Sequence, residues 1–186
     1  GTISDSKQEL SDIYGAKVLV IPTNKKLLRK DLKTVYCKDS LQQYSEAIKA
    51  AVKAHQKGRP VLIIVSSIGE TEIVSKLLLD EKIPHNVLNA NNAYWEAGII
   101  KEAGQKDAVT VATSMAGRGT DIKLGKEVKE LGGLAVIGIG RMKNTRQERQ
   151  AIGRAGRQGD PGTSRFYVSL EDDVVSGQCG IVCVCV

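Results

Sequence analysis

The chain has 186 residues, of which 41% are hydrophobic and 26% are charged, and it carries a formal net charge of +6. This composition is typical of a soluble globular protein, and the length suits one main domain with a single sizeable core. No apolar run approaches the ~20 residues of a membrane span, and the first residues lack a signal-peptide pattern, so we expect a cytoplasmic chain. Cys37 stands alone and the other cysteines crowd the last eight residues, which excludes a disulfide framework.

The beginning of the chain carries too little apolar surface to fold by itself. Residues 18–21 are a candidate strand, and residues 22–31, which read P-T-N-K-K-L-L-R-K-D, are predicted to be an extended connector or a solvated run of charge. We therefore expect a lead-in segment over residues 1–33, a main domain over residues 34–173 and a tail over residues 174–186.

From residue 34 onward, short strands alternate with helices. The predicted strands cover residues 34–37, 61–65, 86–88, 109–113, 134–138 and 164–169. Helices are predicted at residues 95–103 and after three capping-box patterns, which begin at Ser40, Ser67 and Thr145. This alternation predicts an α/β fold in which a parallel sheet is covered by helices on both faces. Ligands of such sheets bind beyond the carboxyl ends of the strands.

The basic stretch at residues 150–162, Q-A-I-G-R-A-G-R-Q-G-D-P-G, is the first candidate for chemistry. On a helix, Gln150, Arg154 and Arg157 would project from one face, and two forked guanidinium groups on one stripe suit a phosphate. Glycines inside a helix reduce its stability, which points to a packing or functional reason for them. A solvated basic helix is the alternative, and charge alone fits nucleic acid, nucleotide phosphate and anionic lipid almost equally well.

A glycine-rich loop, S-M-A-G-R-G-T-D-I-K-L-G, occupies residues 114–125 after a predicted strand. Gly117 and Gly119 permit close approach of the backbone to a ligand, and Asp121 can accept from a ribose hydroxyl or orient an arginine or a metal-bound water. A tight turn with a surface ion pair is the alternative for this loop alone. We expect both glycine-rich motifs to lie at neighbouring strand ends and to form one site.

Two sequence features that nucleotide hydrolysis needs are missing from the chain. It contains neither a G-x-x-x-x-G-K-[ST] phosphate loop nor a D-E-A-D-like acidic strand end to hold magnesium. We therefore predict that the chain alone does not hydrolyse a nucleotide. Its arginine pair would instead complete a site whose phosphates are bound by a neighbouring domain.

The motifs resemble those of a known family. Q-x-x-G-R-x-G-R is similar to motif VI of superfamily-2 helicases, and residues 112–125 and 153–173 closely resemble SecA, the motor ATPase family of bacterial protein export. Residues 22–31 and 86–90 are also similar to SecA segments, so the resemblance covers nearly the whole chain. It implies that the chain is a second RecA-like nucleotide-binding domain, preceded by the end of the first.

The resemblance also implies roles for single residues. Arg154 and Arg157 match the motif VI arginines that approach the γ-phosphate, and Gln150 matches the leading glutamine of that motif. Asp121 and Gly119 match motif V at the nucleotide. ATP and Mg²⁺ would be held mainly by the first domain, and no metal site is expected in this chain.

Arg118 matches an arginine that links the nucleotide cleft to interdomain contacts. The implied partners are the first nucleotide-binding domain, a preprotein, a SecYEG-type membrane channel and an anionic membrane surface, with no nucleic acid. The implied location is cytoplasmic, with peripheral attachment to the membrane. Residues 138–146, G-I-G-R-M-K-N-T-R, resemble an accessory SecA of Gram-positive bacteria more than a housekeeping one.

Two other functions stay open at this stage. The C-terminal half of an RNA or DNA helicase would share the fold and motif VI, and a non-catalytic module would use the basic face only for docking. The tail, residues 174–186, contains three cysteines without a fourth ligand nearby. We interpret it as disordered, truncated or a cloning remnant rather than as a metal site.

Overall fold

The computed structural model describes residues 7–117 and 119–172. The helices in these residues are α1 (Lys7–Tyr14), α2 (Ser40–His55), α3 (Ile68–Asp80), α4 (Glu96–Glu102) and α5 (Thr145–Ile152). The strands are β1 (Leu28–Asp31), β2 (Val35–Cys37), β3 (Val61–Val65), β4 (Asn86–Leu88), β5 (Val109–Thr113), β6 (Leu134–Ile139) and β7 (Pro161–Ser169). Short 3-10 turns occupy Ala90–Trp95, Glu127–Lys129 and Arg157–Gly159.

The strands form one sheet in which every pair is parallel, as the alternation of strands and helices predicts. The strand order is β1-β7-β6-β3-β5-β4. β1 and β2 share one edge, because β1 pairs with the first half of β7 and β2 pairs with its last three residues. Because β3 pairs in parallel with both β5 and β6, the carboxyl ends of these three strands lie side by side.

The core has two halves because helices cover both faces of the sheet. Val61, Ile63 and Val65 of β3 pack with residues of α2 and α3, whereas Leu62 and Ile64 pack with residues of α4 and α5. All five residues of β3 are buried, since side chains alternate between the two faces and both faces are covered. The prediction of helices on both faces is confirmed.

Helix starts follow side chains that accept a hydrogen bond from the first turn. Ser67 and Glu70 form the predicted capping box at α3. The other two predicted caps are wrong by one residue: Asp39 accepts from the Gln42 amide, and Asn144 accepts from the Gln147 amide. A carboxylate and a side-chain amide precede Ser40 and Thr145, and both are strong N-cap acceptors.

Two predictions for the lead-in segment are changed by the structure. The strand predicted at residues 18–21 is absent, and Leu19, Val20 and Ile21 are at least 80% exposed, because no strand of the described residues pairs with them. The predicted connector contains β1, which pairs with β7 over four residues. The division at residue 33 stays a prediction, and the predicted tail, residues 174–186, lies outside the described residues.

Candidate functional site

The two motif arginines lie beyond the end of α5, so the prediction that Gln150, Arg154 and Arg157 share one helix face is wrong. The helix ends at Ile152, and Gly156 takes a left-handed conformation with φ of +72°. A Cβ atom at Gly156 would lie 2.6 Å from the Cβ of Arg29, so the strand β1 leaves room only for glycine there. Residues 153–157 are called the arginine turn below.

The glycine-rich loop, residues 114–125, runs back across the sheet. The Ser114 amide donates to the carbonyl of Val65, the last residue of β3. The Gly125 amide donates to the carbonyl of Gly104, which precedes β5 in the sequence. The prediction that the two motifs follow neighbouring strands is wrong. The loop follows β5 and the helix α5 follows β6, and β3 lies between these two strands. The motifs meet because the loop packs against the same half of the core as α5.

Arg154 is buried against the glycine-rich loop, with 8% of its surface exposed. Its Nη2 donates to the carbonyl oxygens of Ala116 and Ser114. Burial lowers the pKa of its guanidinium, and the positive charge of Arg157 lowers it further, against the opposing effect of Glu96. Gly117 has φ of +69°, and a Cβ there would lie 2.9 Å from Arg154 Nη1. The loop is thus shaped around this arginine.

Arg157 contacts the same loop from a more exposed position. Its Nη1 donates to the Thr120 carbonyl at 2.7 Å and to Asp121 Oδ1 at 3.0 Å, and its Nε donates to the Gly153 carbonyl at 3.0 Å. The two side chains of the ion pair with Asp121 are 36% and 45% exposed. The predicted residues Arg157 and Asp121 therefore contact each other directly. Of the two motif arginines, Arg157 is the one that solvent can reach.

The remaining predicted residues differ in what the structure says of them. Gly119 is exposed, has φ of +83° and lies next to Thr120 in the loop. Gln150 is half-buried on the last turn of α5. Arg118 lies outside the described residues. The structure thus brings Arg154 and Arg157 into contact with the loop that contains Asp121, whereas Gln150 lies on the preceding helix.

Two residues at this site had no predicted role. Glu96, the first residue of α4, accepts a hydrogen bond from the Gly117 amide at 2.9 Å. Arg29 of β1 donates from Nη1 to the Ala155 carbonyl inside the arginine turn at 3.1 Å. The sequence carries a weak signal for Arg29, since it lies in the R-K-D run that resembles the family, and no recognisable signal for Glu96.

Asp31 joins Arg29 to the sheet. Its carboxylate accepts from Arg29 Nε at 2.6 Å and from the Ser164 hydroxyl at 2.6 Å. The hydrogen bond from Arg29 lowers the pKa of Asp31, burial opposes this, and the Ser164 hydrogen bond and the charge of Arg29 lower it further. The strand β1 is thereby fixed to β7 by side chains as well as by its backbone.

This shift predicts how acid affects stability. A carboxyl whose pKa is lower in the folded state stabilises the fold above its unfolded pKa of about 3.9, and this contribution is lost as the pH falls through the folded value. We expect Asp31→Asn to lower the free energy of unfolding at pH 7 and to differ less from the parent chain as the pH approaches about 3. Urea unfolding at several pH values measures this, and an equal difference at every pH would contradict it.

Metal and membrane features are both missing from residues 7–117 and 119–172. No group of three or more His, Cys, Asp and Glu side chains in this range is placed to hold a metal ion. Within the same part of the chain, no helix combines the length and the apolar character needed to cross a membrane.

Solved structures identify the class of fold. The chain is similar to domain 2 of the DEAD-box helicase Mss116p bound to an RNA duplex, with a TM-score of 0.56 and 19% identity over 75% of this chain and 54% of that one. It is also similar to Dbp5 of S. cerevisiae in a structure with Gle1, with a TM-score of 0.60 and 16% identity over 93% and 42% of the two chains. At these identities only the fold is shared, and it is a RecA-like α/β domain of the helicase type.

The family follows from the sequence comparisons. A family model described as the SecA P-loop domain matches residues 26–129 and 125–178, so the chain belongs to the SecA family. It is 53% identical to the protein translocase subunit SecA 2 of Lactobacillus johnsonii over 95% of this chain and 22% of that protein. It is 50% identical to the SecA subunit of Nitratiruptor sp. over 94% and 20%. The chain thus spans about a fifth of the length of these relatives.

Proposed function

We propose that the chain is the second motor domain of a SecA-type ATPase that drives preproteins across the cytoplasmic membrane. The observation that carries this proposal is that Arg154 and Arg157 both bind the glycine-rich loop, which contains Asp121. The chain places two guanidinium groups suited to binding a phosphate at this loop, but its sequence contains no G-x-x-x-x-G-K-[ST] motif. Such a site becomes complete when a first motor domain presents bound ATP to it.

The two arginines are proposed to serve the γ-phosphate in different ways. Arg157 is held by an exposed ion pair, and exposed pairs of this kind contribute only about 0–1 kcal/mol, so a phosphate can replace Asp121 as its partner. Arg154 is buried against loop carbonyls, so it reaches the phosphate only if the loop moves with it. Charge that develops on the γ-phosphate during transfer would then be stabilised by both guanidinium groups.

The other predicted residues complete the proposed site. Asp121, once released from Arg157, and the exposed Gly119 would contact the nucleotide, and Gln150 would contact it from α5. Arg118 would link the cleft to the first domain. Mg²⁺ and the phosphates of ATP would be held mainly by that first domain, so we infer that the chain alone does not hydrolyse ATP.

The partners are proposed from the family. Relatives are named protein translocase subunits, which supports a preprotein substrate and a SecYEG-type channel as partners of this chain's parent protein. We infer a cytoplasmic protein that attaches peripherally to an anionic membrane surface and that does not depend on nucleic acid. The match to a SecA 2 supports the accessory type.

The test is the stimulation of ATP hydrolysis by the full-length protein that carries this chain. We expect membrane vesicles with the channel, together with a preprotein, to raise turnover, and single-stranded RNA to leave it unchanged. Stimulation by RNA alone would identify a helicase instead. A full-length protein that never hydrolyses ATP would support the docking module and would contradict the proposal.

A further inference from the structure

Arg29 connects the edge strand β1 to the turn that carries both motif arginines. Its side chain is 13% exposed, and its Nε and Nη2 bind the two carboxylate oxygens of Asp31 at 2.6 and 3.0 Å. The remaining branch, Nη1, donates to the Ala155 carbonyl at 3.1 Å. Ala155 lies directly between Arg154 and Gly156 in the sequence. One planar guanidinium therefore spans from the strand to the backbone of the arginine turn.

The stem of Arg29 also shapes the turn. The Cβ of Arg29 lies where a side chain at Gly156 would have to fit, at 2.6 Å from the position of its Cβ. Leu27, two residues earlier in the lead-in segment, lies 3.3 Å from the same position. The left-handed residue that redirects the chain between Arg154 and Arg157 thus packs directly on the lead-in segment.

The arginine turn is held from two sides. On one side, Arg154 and Arg157 donate to the glycine-rich loop, at Ala116, Thr120 and Asp121. On the other side, Arg29 holds the Ala155 carbonyl, and Asp31 anchors Arg29 through the Ser164 hydroxyl of β7. Ala155 is 2% exposed, so its carbonyl is buried and needs a hydrogen-bond partner within the protein, which Arg29 supplies.

We propose that Arg29 is a positioning residue for the motif arginines, and that it transmits displacement of the lead-in segment to Arg157. This inference rests on the proposed function, in which the lead-in segment arrives from the first motor domain. A shift of β1 along β7 would pull the Ala155 carbonyl and rotate the turn. The distance between Arg157 and the γ-phosphate would thereby follow the movement of the two domains.

The first test uses the chain by itself and does not depend on ATP hydrolysis. Arg29→Gln removes the charge and the hydrogen bond to Ala155, whereas Lys30→Gln removes a neighbouring exposed cation of the same strand. We expect Arg29→Gln to shift or broaden the Nε–H signal of Arg157 in nitrogen-15 NMR spectra, and Lys30→Gln to leave that signal in place. An unchanged Arg157 signal in folded Arg29→Gln would overturn the inference.

The second test measures ATP turnover by the full-length protein. Misplacement of a catalytic group by about 1 Å can cost about 100-fold, so we expect Arg29→Gln to lower kcat by about 10- to 100-fold with little change in KM. In an Arg157→Ala background the same change should cost less than about twofold, because it acts through Arg157. A purely structural role would lower turnover equally in both backgrounds and would overturn the inference.

The same measurements separate two kinds of failure. Loss of turnover in Arg157→Ala, together with normal turnover in Arg29→Gln, would overturn the positioning role alone. Normal turnover in both variants would overturn the proposed function. Arg29→Lys keeps the charge, but a single ammonium group cannot bind both carboxylate oxygens of Asp31 and the Ala155 carbonyl in one plane, so it should restore turnover only in part.

Discussion

Arg154→Ala in the full-length ATPase is expected to lower kcat for ATP hydrolysis by about a thousandfold or more, the range found for arginines that stabilise a transferring phosphoryl group. Because this contact would form mainly in the transition state, kcat and kcat/KM should fall together. Arg154→Lys should not restore turnover. Nη2 of Arg154 is already bound to two loop carbonyl oxygens, and a lysine ammonium has no second donor branch to offer to a phosphate.

A matched control is available on the neighbouring helix. Arg146 lies on α5 and is exposed, so Arg146→Ala removes one positive charge near the site without touching the glycine-rich loop. Its turnover should stay close to that of the parent protein. If Arg154→Ala remains folded in circular dichroism and hydrolyses ATP at the rate of Arg146→Ala, the proposed role of Arg154 is wrong.

Ile63→Ala is expected to lower the free energy of unfolding of the chain by about 2–5 kcal/mol, the cost of a large-to-small change in a core. Ile63 has no exposed surface, and β3 lies between β5 and β6 near the centre of the sheet, so we expect the surrounding side chains to fill the cavity only in part. Such a loss is a large part of the about 5–15 kcal/mol that stabilises a typical domain.

The control for this prediction is a leucine on the surface. Leu79 on α3 is 64% exposed, so Leu79→Ala should change the free energy of unfolding by less than about 1 kcal/mol. Ile63→Val, which removes one methyl group, should cost about 0.5–1.5 kcal/mol. Urea unfolding followed by circular dichroism measures all three, and equal midpoints for Ile63→Ala and Leu79→Ala would contradict the assignment of the core.

The two motif arginines are not equivalent in the structure, although the sequence presents them as a pair. Arg154 is buried and desolvated, and it holds the glycine-rich loop by its carbonyls. Arg157 is partly exposed and bound to an exposed carboxylate. A phosphate can replace the carboxylate of Asp121 as a partner of Arg157 at little cost, whereas access to Arg154 requires the loop to rearrange. For this reason we propose that Arg154 reaches the phosphate when the loop moves, and that Arg157 reaches it by exchanging Asp121 for the phosphate.

Much of the fold could be predicted from the sequence because its signals are local. The bounds of β3, β4 and β5 agree with the prediction to the residue, since each is a short run between turn signals. The capping box at Ser67 agrees for the same reason, because its partners lie three residues apart. The candidate loop at residues 114–125 was likewise recognisable from its glycines and from Asp121.

By itself, then, the sequence determined the class of fold, most strands and the positions of the two glycine-rich motifs, because each depends on neighbours along the chain. Only the tertiary structure decided the strand order, the early end of α5 and the contact between Arg29 and Ala155. These depend on groups far apart in the sequence: Arg29 and Ala155 are separated by 126 positions. The left-handed Gly156 illustrates the reason, since the turn between Arg154 and Arg157 packs against Leu27 and Arg29, which lie far from it in the sequence.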